Sequence, residues 1–75
     1  MKALVEYIAR SLASEPDQVA VLEEHRGDRI IIHLHVSDED KGRVIGRDGR
    51  CANAIRSLLH VAAVRSGVRA SLDID

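Results

Sequence analysis

Two glycines separated by two residues, Gly46-Arg47-Asp48-Gly49, sit where the chain's positive charge is densest. Without a Cβ, the backbone at each glycine can take dihedrals closed to other residues, and a second chain can approach closely. A four-residue turn between two helices also opens the second helix, whose first amides lack intrahelical partners. Such amides can donate to an anion, and the helix dipole favours negative charge there. Arg47 lies in the turn, Arg50 follows it, and Arg43 and Ile45 precede it. The chemistry open to this set is to hold a phosphate chain. A glycine pair can equally be a plain helix–helix junction, which is the simpler structural reading.

The charge distribution favours the first reading. The formal net charge is −1. Between residues 41 and 56, however, Lys41, Arg43, Arg47, Arg50 and Arg56 are opposed only by Asp48, five charges against one, or +4. The other six basic and eleven acidic side chains give −5. One positive site on an acidic body suits an anionic ligand docking at one place, whereas a solvated helix face is the bland alternative.

The elements that position the turn follow from periodicity. Residues 2–13 read as an amphipathic helix with Leu4, Val5, Ile8 and Leu12 on its apolar stripe. Pro16 stops it. Val19–Leu22 is a short first strand, and the polar run Glu23–Asp28 turns the chain back as a hairpin. Arg29–Val36 alternates, with Ile30, Ile32, Leu34 and Val36 on one face. Ser37 is a helix N-cap, and Asp38, Glu39 and Asp40 suit the positive end of the helix that runs to Ile45. After the turn, a second helix places Ile55, Leu58, Leu59 and Ala62 inward, with Asn53, Arg56 and His60 away from that stripe, and Gly67 ends it. Val68, Ala70, Leu72 and Ile74 alternate in a last strand. This order of helix, strand, strand, helix, helix, strand makes an α+β two-layer sandwich with helices on one face of a three-stranded mixed sheet. The two-helix crossover fits a parallel last strand, right-handed by default.

The stretch Gly42-Arg43-Val44-Ile45-Gly46-Arg47-Asp48-Gly49-Arg50, followed by Ala52, Ala54-Ile55-Arg56 and Leu58-Leu59, resembles the signature of KH domains. The helix–strand–strand start matches the type II arrangement. Leu4-Val5-Glu6-Tyr7-Ile8 and Pro16-Asp17-Gln18-Val19 are similar to the KhpA family of small bacterial single-KH proteins. The resemblance covers essentially the whole chain. It implies one KH domain over residues 1–75, with the N-terminal helix and first strand in 1–28 and the core motif in 29–75. It also implies that the glycine turn clamps about four nucleotides of single-stranded RNA or DNA. Gly46, Arg47, Asp48 and Gly49 would be the clamp and Arg43 and Arg50 would flank it. Ile45, Asn53 and Arg56 complete the candidate nucleic-acid contacts. The family's members are cytoplasmic RNA-binding proteins that form homodimers or pair with a larger KH-containing partner. Their role is that of an RNA chaperone or post-transcriptional regulator tied to cell elongation and division. No cofactor is implied. Two positions depart from the family pattern: Asp48 stands where a neutral residue is common, and Cys51 where threonine is.

The remaining candidates have simpler readings. Cys51, the lone cysteine, is a small packing residue rather than an activated thiol, since no histidine base is near it in sequence. His33 and His35 share a strand face but lack a third metal ligand, which makes them surface histidines. Asp38-Glu39-Asp40 is explained by capping without a metal. Tyr7 is the only aromatic residue, so base contacts would be aliphatic packing and hydrogen bonds, not stacking. Catalytic pairs and nucleotide-binding glycine patterns are missing, which argues against an enzyme. No apolar run reaches membrane-spanning length, and the early Glu6 interrupts any signal-peptide core; both point to the cytoplasm. A protein-interaction module on the same fold, with weak or no RNA binding, is the competing function.

Overall fold

In a computed structural model, which describes residues 1–75, the chain runs α1 (Lys2–Leu12), β1 (Ala20–Arg26), β2 (Arg29–His35), α2 (Asp38–Ile45), α3 (Arg50–Ser66) and β3 (Arg69–Ile74). Short 3-10 turns at Pro16–Gln18 and Arg47–Gly49 join α1 to β1 and α2 to α3. The sheet order is β1-β2-β3. β1 is antiparallel to β2 and β3 is parallel to it, as the crossover length predicts.

Alternation in β2 sets the layers. Ile30, Ile32 and Leu34 are buried and face the helices, while Ile31, His33 and His35 face the open side. Val21 lies opposite Leu34 and Leu72 opposite Ile32, so all three strands feed one core. Val5 and Ala9 of α1, Val44 of α2, and Ile55 and Leu59 of α3 close it from the other layer.

Three expectations need correction. β1 continues to Arg26 instead of ending at Leu22, so only Gly27 and Asp28 form the turn. The polar run tolerates a strand because it pairs with β2 from Ile32 to Arg29, and its charges find partners: Glu23 with His25 at 2.6 Å, Glu24 with His33 at 3.0 Å. In α1 the buried residues are Val5 and Ala9; Leu4 and Leu12 lie at its margins, about a third exposed at 36% and 38%. In α3 the buried set is Ala52, Ile55, Leu59 and Ala63, and Leu58 is half exposed. Both helices contain more apolar residues than their inner faces use, so periodicity alone could not choose between overlapping stripes.

Asp40 is the one buried charged residue, with no exposed surface. Ser37 caps α2 as expected, its hydroxyl accepting from the Asp40 amide at 3.3 Å. The Asp40 carboxylate instead reaches the segment after α1. It accepts from the Ser14 amide at 2.9 Å, the Ser14 hydroxyl at 2.8 Å and the Glu15 amide at 3.0 Å. It also accepts from the Ser37 hydroxyl at 3.1 Å. The Ser14 amide, then the Glu15 amide and the two hydroxyls, stabilise the anion against desolvation and hold its pKa down at about 2. A carboxylate bonded this fully fixes the start of α2 against the body of the domain, and so fixes the direction in which α2 delivers the glycine turn.

Candidate nucleic-acid interface

α2 ends at Ile45 because Gly46 takes a backbone conformation (φ 78, ψ 174) that continues no helix. The Gly46 amide donates back to Gly42 at 2.9 Å. Any side chain here meets a second obstacle: a Cβ on Gly46 would sit 2.7 Å from the Cβ of Cys51 and 2.8 Å from its nitrogen. The start of α3 is thus folded tightly over Gly46. This contact explains Cys51, which is half-buried against the core: a small packing residue at a crowded bend.

Asp48 (φ 57, ψ 26) and Gly49 (φ 76, ψ 11) follow in the left-handed region. Glycine enters it freely, and aspartate is among the few other residues that do so readily. The Gly49 amide donates to the Gly46 carbonyl at 3.2 Å, and the Arg50 amide to the Arg47 carbonyl. The turn therefore satisfies part of the α3 N-terminus that the sequence suggests is open. Both bonds that close the turn are donated by its last residue and the first of α3, Gly49 and Arg50. α3 has no side-chain cap.

Arg43, Arg47 and Arg50 are all exposed, and the six ion pairs of the chain lie elsewhere. The fold thus leaves three guanidinium groups without ion-pair partners around the turn. Ile45, 40% exposed, adds an apolar surface beside them.

Asn53 and Arg56 lie one and two turns into α3. Arg56 is not free: it donates to the Leu72 carbonyl at 3.3 Å and to the Asn53 amide oxygen at 3.5 Å. Strand β3 is a sheet edge, and Arg56 leans across to it. Between them lies a groove of about 280 Å³ lined by Arg56, Leu59, His60, Ala70, Ser71 and Leu72. Nothing in the spacing of the candidate contacts points to the β3 residues of this groove. The alternation of β3 identifies Leu72 as inward-facing; nothing local marks its carbonyl as a free edge acceptor. A larger surface hollow of about 470 Å³ lies on α1, lined by Ala3, Glu6, Tyr7, Arg10 and Ser11, and shares no residue with the turn.

His33 is more than a surface histidine. On the open face of the sheet its ring lies 3.0 Å from Glu24 and 3.7 Å from Asp73. His35 is exposed, as expected.

A glycine turn joining two helices, packed on a three-stranded mixed sheet in the order helix, strand, strand, helix, helix, strand, defines a KH-type domain. The chain matches the model of the KhpA/KhpB KH domain family over residues 2–74. It belongs to that family, which is a family of nucleic-acid-binding domains and not of enzymes. Relatives of the chain are named RNA-binding protein KhpA. That of Halalkalibacterium halodurans is 46% identical over 99% of this chain and 97% of its own length. That of Clostridium perfringens is 45% identical over 99% of both. A more distant relative of the same name, from Treponema pallidum, is 42% identical over 95% of this chain and 89% of its own. No solved structure matches the chain. No helix is long and apolar enough to cross a membrane.

Proposed function

We propose that the chain binds single-stranded RNA at the Gly46–Gly49 turn. In this reading the Arg47 and Asp48 amides and the Arg43, Arg47 and Arg50 side chains take the sugar–phosphate backbone. The bases lie along Ile45, Asn53 and the groove between α3 and β3. The observation that carries it is the turn itself: side-chain-free at the point of closest packing, and flanked by exposed arginines that form no ion pair. The relatives' names support RNA over DNA. We place the activity in the cytoplasm, in RNA chaperoning or post-transcriptional control of cell elongation and division.

The cleanest loop variant is Gly49→Asp. Its Cβ meets only the Asn53 side chain at 3.8 Å, and aspartate tolerates the left-handed backbone. Gly46→Asp would clash with the α3 backbone and confuse lost binding with lost fold. RNA affinity is measured by fluorescence anisotropy for wild type, Gly49→Asp and Arg47→Gln/Arg50→Gln, with folding checked by circular dichroism. Both folded variants are expected to bind at least about tenfold more weakly. Undiminished binding in either would remove the turn from the site.

Self-association is a second feature of the proposal, and a specific surface supports it. Leu58, Val61 and Val64 are 50%, 58% and 64% exposed on the outward side of α3, away from its buried stripe. Burying this flank between two copies, or against a larger KH-containing partner, would remove apolar surface from water and leave the glycine turn free. Two linked turns would raise affinity through effective concentration. Sedimentation equilibrium decides it: wild type should be dimeric and Val61→Asp monomeric, and a monomeric wild type contradicts self-association.

A further inference from the structure

Like charges directly opposite one another in a sheet repel. This sheet nevertheless aligns three arginines on one rung: Arg26 of β1 is paired in register with Arg29 of β2, and Arg29 with Arg69 of β3. All three are exposed and fall on the open face, the face on which His33 meets both Glu24 and Asp73. Arg26 is shared with Glu24 through a side-chain contact. Arg29 and Arg69 form no ion pair. The opposing carboxylates nearby are Asp28 in the hairpin turn and Asp73, which lies beside His33. Counting charge along the chain hides this cluster, because its members come from segments 40 residues apart that only the sheet brings together.

The rung also has a place relative to the glycine turn. α3 begins at that turn and ends at Ser66, three residues before Arg69. Its 17 residues span about 25 Å at about 1.5 Å each. The groove between α3 and β3 covers part of that distance, from Arg56 to Ala70, and Ala70 is the neighbour of Arg69.

We infer that Arg26, Arg29 and Arg69 form a second phosphate-binding surface, which receives the RNA strand after it has left the glycine turn along the α3–β3 groove. This rests on the RNA-binding reading above and extends its footprint beyond the clamp. Planar guanidinium groups suit phosphate oxygens, and a polyanion relieves the repulsion that the rung builds into the sheet. Eight nucleotides beyond the clamp cover about 27 Å even at a stacked spacing of about 3.4 Å, enough to reach the rung.

Two randomised RNAs test the inference, one of four nucleotides, filling only the clamp, and one of about twelve. Affinities are measured across salt concentrations for wild type, Arg29→Gln/Arg69→Gln, Arg29→Lys/Arg69→Lys and Gly49→Asp. The glutamine pair should bind the long RNA about tenfold more weakly at 0.1 M salt, with a log–log salt slope shallower by about 1.4 for two lost phosphates. Its binding to the short RNA should equal wild type, and the lysine pair should recover most of the loss. Its thermal unfolding should occur at or above the wild-type temperature, because repulsion has been removed. Unchanged binding of the long RNA by the glutamine pair would assign these arginines to something other than RNA and overturn the inference. So would equal weakening for both lengths. The clamp is tested separately: if Gly49→Asp binds the short RNA as wild type does, the turn is not the site, and the long-RNA comparison still decides the rung. A wild type that binds neither RNA overturns both.

Discussion

Asp48 puts a carboxylate at the tip of a turn proposed to meet phosphate, and its backbone supplies a reason. With φ at 57 the position excludes most side chains, and aspartate is one of the few that enter this region readily. The residue is therefore suited to the turn's geometry while opposing the ligand's charge. Unit charges 4 Å apart in water interact by about 1 kcal/mol, so Asp48→Asn, which keeps the backbone preference, should tighten RNA binding about fivefold at low salt. The gain should shrink at high salt. Equal affinity for the two proteins in a low-salt titration would show that the carboxylate points away from the strand. At this scale much of the site was legible, because glycine spacing and clustered arginines are local signals. The crowding of Gly46 against Cys51 was not, since it depends on how α3 folds back. Nor was the tether on Arg56, whose acceptor lies 16 residues away.

The elements follow from the sequence in kind and order, and the two misplaced helix stripes share one cause. Where a helix holds more apolar residues than its inner face accommodates, as α1 and α3 do, sequence cannot tell which stripe meets the sheet. In α3 the surplus becomes the exposed flank of Leu58, Val61 and Val64. The hidden role of Asp40 is an error of another kind: its acidic neighbours make it look like an ordinary first-turn residue, but its partners lie 25 and 26 residues away. It joins the end of α1 to the start of α2, and this junction should respond to pH. The folded-state pKa of about 2 lies below the ordinary 3.8, so the contribution of Asp40 is complete above about 3.8 and fades as pH falls toward 2. Urea unfolding followed from pH 6 to pH 2 should show wild type losing stability most steeply in that window. Asp40→Asn should start less stable and show a flatter acid limb. Parallel acid limbs for the two proteins would mean that the carboxylate does not anchor α2.

At the scale of the molecule, three helices cover one face of a three-stranded sheet, and the turn projects from the helical layer where no other element covers it. A domain of this size has little core to spare, and twelve residues from all three strands, all three helices and the segments beside them share one cluster. The placement of the turn was predictable from element order; the grouping of charges across strands was not, because register is a tertiary property. The central claim is that RNA meets the backbone of the turn. Titrating ¹⁵N-labelled protein with a four-nucleotide RNA and following amide shifts by NMR tests that claim most directly. The Arg47 and Asp48 amides should show the largest saturable shifts, with Val61 and Val64 on the far flank of α3 nearly unmoved. Saturable shifts confined to that flank or to α1, with Arg47 and Asp48 unchanged, would contradict the account.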